Sequence, residues 1–124
     1  YGILTFVCGF VLSVVFQLAH IIPDTSFPIP EKDTNKIEQE WALHQIATTG
    51  DFATKNKIVS WFTGGLNFQV EHHLFPKISH IHYPAINTIL KETCRKFNVK
   101  FIEYPTLRGA FRSHLIHLRD VGRG

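Results

Sequence analysis

The sequence predicts an all-α fold of the integral-membrane kind: a transmembrane helix at residues 1–22, then a mainly helical cytosolic region at 23–124. Three observations predict it. From Tyr1 to Ile22 there is no Asp, Glu, Lys or Arg, and the only histidine is His20. As a helix, Gly2 to Ile22 would run about 30 Å, the thickness of a bilayer's hydrocarbon core. Farther on, Ile86, Ile89, Leu90, Cys94 and Phe97, and then Leu107, Ala110, Phe111, Leu115 and Leu118, recur at helical spacing, the mark of helices with one apolar face. Finally, every Lys and Arg lies after residue 31, and such residues concentrate on the cytoplasmic side of a membrane.

The span closes at Pro23, and Pro28 and Pro30 mark Asp24 to Lys32 as a loop leaving the membrane. A signal peptide fits the opening run poorly, because it lacks a basic leader and a small-residue cleavage site before Pro23. Asn35 and Glu38 have the spacing of a capping box and start a helix that continues to about Thr48. Ile37, Trp41, His44 and Thr48 share one of its faces, which makes Trp41 a core anchor. Gly50 to Lys57 reads as a turn of mixed charge. The next helix begins at Thr63 or Gly64 and ends at Pro76. Its paired glycines cost helix stability and imply close approach of the backbone to another element. His80 to His82 reads as extended, and Pro84 takes the first turn of the helix that follows. Lys91, Glu92, Arg95 and Lys96 occupy that helix's outer side. Val99 to Tyr104 is a short extended segment, and Pro105 opens the last helix.

The net charge of +3 suits an anionic membrane surface or an anionic head group. It is too small and too scattered for nucleic acid. Cys8 lies in the span and Cys94 on a helix, so neither a disulfide framework nor a cysteine zinc site is indicated, and a reducing compartment fits. No repeat, Gly-rich phosphate loop or nucleophilic-serine motif occurs.

Chemistry concentrates in Gln69-Val70-Glu71-His72-His73-Leu74-Phe75-Pro76. On a helix, positions three and four apart share a face, so Gln69, His72 and His73 can aim an amide and two imidazoles at one point. Neutral imidazole is the commonest metal ligand among side chains, and adjacent buried histidines are costly unless something binds their nitrogens. Gln17 and His20 share a face of the span in the same way, and a titratable group at membrane depth marks a functional site. His20 is therefore the third expected ligand. His80 and His82 alternate along an extended stretch and read as exposed loop histidines. His114 and His117 are also three apart, but beside Arg108, Arg112 and Arg119 they read as helix-end and interface residues.

These residues carry a resemblance. Trp61 to Pro76 resembles the third histidine box of membrane fatty acid desaturases, in particular the front-end type in which glutamine replaces the first histidine. Gln17-Leu18-Ala19-His20 is similar to the motif closing the last transmembrane helix of that family. Trp41 to Thr49 with Asp51-Phe52 resembles the segment joining that helix to the box. The resemblance implies a di-iron (Fe) centre, O2 and an external electron donor, a b-type cytochrome or a ferredoxin. It implies an acyl-CoA or acyl-lipid substrate, and a channel lined or supported by Trp41, Gln45 and Thr49. It also implies an integral membrane location, in the endoplasmic reticulum or a bacterial inner membrane, among membrane lipid. His20, His72 and His73 become metal ligands, with Gln69 a ligand or a support for one. The family's two upstream boxes are not in the sequence, so the chain reads as a C-terminal fragment that would be inactive alone. Imidazoles suit several metals, which leaves a lipid hydroxylase with the same irons and a histidine-rich membrane zinc hydrolase as alternatives. A membrane-anchored interaction module is the non-enzymatic one.

Overall fold

The computed structural model describes residues 1–25 and 40–123. Six α-helices and a short two-stranded parallel pairing make up the described chain: α1 (Gly2–His20), α2 (Trp41–Thr48), β1 (Asp51–Phe52), α3 (Lys57–Phe62), α4 (Gln69–Leu74), α5 (Tyr83–Lys96), β2 (Glu103–Tyr104) and α6 (Leu107–Val121). The fold is mainly helical, as expected. α1 is long and apolar enough to cross a membrane, and it ends two residues short of Ile22. Gly2 to Phe10 are all exposed. Only the last turns bury side chains, where Val15, Leu18 and Ala19 pack with Phe52, Ala53 and Ala110. An apolar helix that hides just one end from solvent fits a lipid environment for the rest.

β1 is the hub. Gly50 donates its N–H to Ala19 at the end of α1 (2.9 Å), Asp51 to Ile102 (3.0 Å), Phe52 to Asn67 (3.0 Å) and Ala53 to Tyr104 (2.8 Å). Asp51 and Phe52 lie opposite Glu103 and Tyr104. The segment read from sequence as a mixed-charge turn is thus partly a buried strand. Its partner falls inside the extended segment expected at Val99 to Tyr104. A second apolar cluster, Ile46, Val70 and Cys94 with Leu74, Leu90, Val99 and Phe101, joins α2, α4 and α5.

Four further expectations change. The box helix does not begin at Thr63 or Gly64 but at Gln69, and a separate helix, α3, precedes it. Gly64 and Gly65 have φ of +61° and +82°, left-handed values that favour glycine and break a helix. The close approach inferred from that pair is real, for a Cβ on Gly65 would lie 2.6 Å from His80 Cβ. Trp41 is no core anchor. It is 59% exposed and lines an apolar groove with Leu43, Leu74, Phe75 and Phe97, because α2 turns Ile46 inward instead. His80–His82 form a short 3-10 turn rather than an extended strand. On α6, Ala110 and His114 are the buried residues, whereas Leu107, Phe111, Leu115 and Leu118 remain exposed. Pro84 does occupy the first turn of α5. Asn35 and Glu38 lie outside the described residues.

Candidate metal centre

Chain segments far apart in sequence bring four of the expected site residues together. The ring centroids of His20 and His73 are 5.0 Å apart, and those of His72 and His73 are 5.9 Å apart. Gln69 Nε2 lies 3.2 Å from His20 Nε2. An amide nitrogen only donates, so His20 Nε2 is the acceptor and carries a lone pair. A cavity of about 530 Å³ opens beside the group, lined by Val15, Phe16, Gln17, Leu66, Gln69, His72 and His73.

His73 shows how the site is held. Its Nδ1 lies 2.8 Å from Gln45 Oε1, and a carbonyl oxygen only accepts, so Nδ1 carries the hydrogen and Nε2 the lone pair. Burial, then the charges of His20 and His72, push its pKa down to about 4. It is therefore neutral near pH 7, the form a metal requires. His72 Nδ1 stands 3.5 Å from the Tyr83 hydroxyl, the outer limit of a hydrogen bond. A polar group holding one ring nitrogen, as Gln45 holds His73 and Tyr83 approaches His72, is the arrangement that orients histidine ligands around metals. The donors therefore fit a nitrogen-ligated metal. Among the described residues, no three His, Cys, Asp or Glu side chains are already gathered as tightly as around a single ion. His72 and His73 line the cavity, with His20 beside them.

Gln45 and Thr49 do not line that cavity. Gln45 braces His73, and the buried Thr49 hydroxyl bonds back to the Gln45 carbonyl at 2.5 Å. Trp41 lines the separate groove on α2, so the three residues named for a channel do not share one space. His80 and His82 are exposed. His114 is buried and its Nδ1 donates to the Ile21 carbonyl at 2.7 Å, an interface role as its position suggested.

Sequence reasoning missed the polar cluster behind the box. Asp51 and Glu71 are both fully buried. Asn87 Nδ2 bridges them, donating to Asp51 Oδ2 (2.8 Å) and Glu71 Oε1 (2.9 Å). Asp51 Oδ1 accepts the Val70 N–H at 3.0 Å, so α4 is hung from β1 and α5 at its start. Burial, reinforced by Glu71, raises the Asp51 pKa well above the usual carboxylate range, and burial raises Glu71 as well. Two buried carboxyls sharing one amide donor cannot both ionise cheaply, and Glu71 Oε2 is left without a hydrogen-bond partner. A signal existed. If Gln69, His72 and His73 share one face of a short helix, Glu71 points to the other and needs a partner there.

Residues 1–105 match the sequence model of a family described as fatty acid desaturase. The chain is 45% identical to an sn-1 linoleoyl-lipid 6-desaturase of Synechocystis sp. over 93% of its own length and 32% of the relative's. It is 47% identical to the enzyme of that name in Arthrospira platensis, over 91% of the chain and 30% of the relative. An acyl-lipid (8-3)-desaturase of Physcomitrium patens is 45% identical over 94% of the chain and 24% of the relative. The chain thus spans a quarter to a third of the length of these curated relatives. No solved structure matches it.

Proposed function

Because the chain belongs to the fatty acid desaturase family, we propose that it is the part of a membrane desaturase that supplies the third histidine box, acting on the acyl chain of a membrane lipid. The observation that carries this is the meeting of His20 with Gln69 and His73 across 49 residues or more of chain. A box that were incidental would have no reason to face the one histidine at the end of the apolar helix.

His20, His72 and His73 would hold part of an iron pair, with the rest of its ligands in the remainder of the protein. When bound, the iron pair supplies the redox chemistry with O2 needed to break unactivated C–H bonds, which zinc does not. The chain's own residues do the positioning. Gln45 fixes the hydrogen of His73 on Nδ1 and leaves Nε2 for the metal. Asp51, Glu71 and Asn87 fix the start and pitch of α4, so that Gln69, His72 and His73 turn together toward α1. Val15, Phe16 and Leu66 give the cavity apolar walls. Such walls exclude water and hold a methylene pair in place.

Relatives named for lipid-linked acyl groups favour an acyl-lipid over an acyl-CoA substrate. Electrons would come from a b-type cytochrome or a ferredoxin. α1 would cross the membrane, in the endoplasmic reticulum or a bacterial inner membrane, and the remainder would face the cytosol.

The test is iron content and product profile of the full-length protein carrying His72→Ala, Gln69→Ala or Gln69→His. His72→Ala should lose both iron and activity. Gln69→His should keep iron, since it adds a nitrogen at similar reach, and should change rate or double-bond position. Equal iron loss in Gln69→Ala and His72→Ala would make Gln69 a full ligand. Zinc in place of iron, or full activity after His72→Ala, would overturn the reading.

A further inference from the structure

α6 carries a feature that the metal centre does not use. Arg108, Arg112 and Arg119 lie four and seven residues apart in succession, which places them within about 40° of one another around the helix. Among the described residues none of the three forms an ion pair. Next to this row run Leu107, Phe111 and Leu115, between 42% and 50% exposed. The row and the apolar stripe together line a groove of about 610 Å³ whose opposite wall is Val14 and Leu18 of α1.

The depth of that groove is fixed by the packing. Val14 and Leu18 precede the end of α1 by six and two residues, about 9 Å and 3 Å along its axis. The middle of α6 is pinned at the same level, by His114 to the Ile21 carbonyl and by Ser113 to Tyr104, whose hydroxyl also holds Asp24. An apolar stripe edged by arginines, set where an apolar helix leaves the bilayer, is the composition of a helix lying in the membrane interface. Guanidinium groups there reach phosphate while their stems stay apolar.

We infer that the α1–α6 groove is a binding site for an anionic phospholipid of the surrounding bilayer. The upper part of an acyl chain lies between Val14, Leu18, Phe111 and Leu115, and the phosphate sits on the row Arg108, Arg112 and Arg119. Three unpaired cations with apolar flanks match an anionic amphiphile in both charge and polarity. A helix from elsewhere in the protein would have to bring acidic groups to the same row.

The experiment uses the full-length protein in nanodiscs with phosphatidylglycerol and phosphatidylcholine in equal amounts, followed by progressive delipidation and mass analysis of the retained lipid. Phosphatidylglycerol should be enriched, and the preference should fall as salt rises. The triple variant Arg108→Gln, Arg112→Gln, Arg119→Gln should lose the preference, with each arginine contributing roughly fivefold. The corresponding Arg→Lys triple variant should keep most of it, which separates lost charge from lost folding. A photo-crosslinker at Leu115 should label lipid. Equal retention of the two lipids by the unaltered protein, or crosslinking of Leu115 to another segment of its own chain, would overturn the inference. No turnover is measured, so neither result depends on the reading of the metal centre.

Discussion

His73 and Gln45 show at the scale of single residues how the site is held. The Gln45 carbonyl takes the Nδ1 hydrogen of His73, and loss of such a partner costs metal sites about 10–100-fold in affinity or activity. Gln45→Leu should therefore lower iron retention by that order while leaving the fold intact. Titration of the full-length apoprotein with Fe(II) checks it, and unchanged affinity would remove Gln45 from the site. Asn87 acts differently, because its amide is the donor shared by two buried carboxyls. Asn87→Leu strands both acceptors, at a cost of about 2–4 kcal/mol. That variant should show a lower thermal midpoint before any change in product, measured by unfolding of the full-length protein with and without iron.

Among elements, β1 joins more parts of the fold than its length suggests. The end of α1, the turn before α4 and β2 all bond to Gly50–Ala53. A second junction lies at Asp24, which accepts from the Tyr104 hydroxyl at 2.6 Å and pairs with Lys100 at 3.1 Å. The Tyr104 hydrogen bond, then Lys100, lowers the Asp24 pKa below its ordinary 3.8. With the folded value depressed, the junction's stability is present above the unfolded value and disappears as pH falls through the folded one. Asp24 is largely solvent-facing, so the effect is small and screened by salt. The expected result is a difference in thermal midpoint between the unaltered protein and Asp24→Asn that is steady near neutral pH and shrinks as acid protonates the folded Asp24. A difference that grows on acidification would contradict the assignment.

For the whole molecule, the count of donors decides what the chain can do alone. Three imidazoles and one amide surround the candidate site, too few to complete the coordination of two iron ions. The isolated 124-residue chain should accordingly hold well under two irons and show no desaturation with O2, an electron donor and acyl lipid. Iron analysis and product chromatography of the purified chain check both. Turnover by the chain alone would mean that the remaining ligands are not required.

What the sequence determined on its own were the features that follow from local periodicity. The uncharged run to Ile22 covered α1, and Pro84 marked the first turn of α5; of that helix's apolar stripe Cys94 is buried, whereas Ile89 and Phe97 are exposed. The helical spacing of Gln69, His72 and His73, with His20 against an apolar background, likewise picked out side chains that the fold brings close together. Tertiary structure decided what depends on partners distant in the chain. Gly64 and Gly65 adopt left-handed conformations against His80, so the box helix is short and begins at Gln69. Asp51 reads as a turn residue until β2, Val70 and Asn87 surround it. Phe111 and Leu115 share an apolar face with Ala110, yet α6 docks through Ala110 and His114 and leaves them exposed. Each of the three depends on a residue distant in the chain, which local spacing does not encode; the last also shows the limit of periodicity. A period of apolar residues says that a face avoids water, and only the packed neighbours determine whether that face meets protein or lipid.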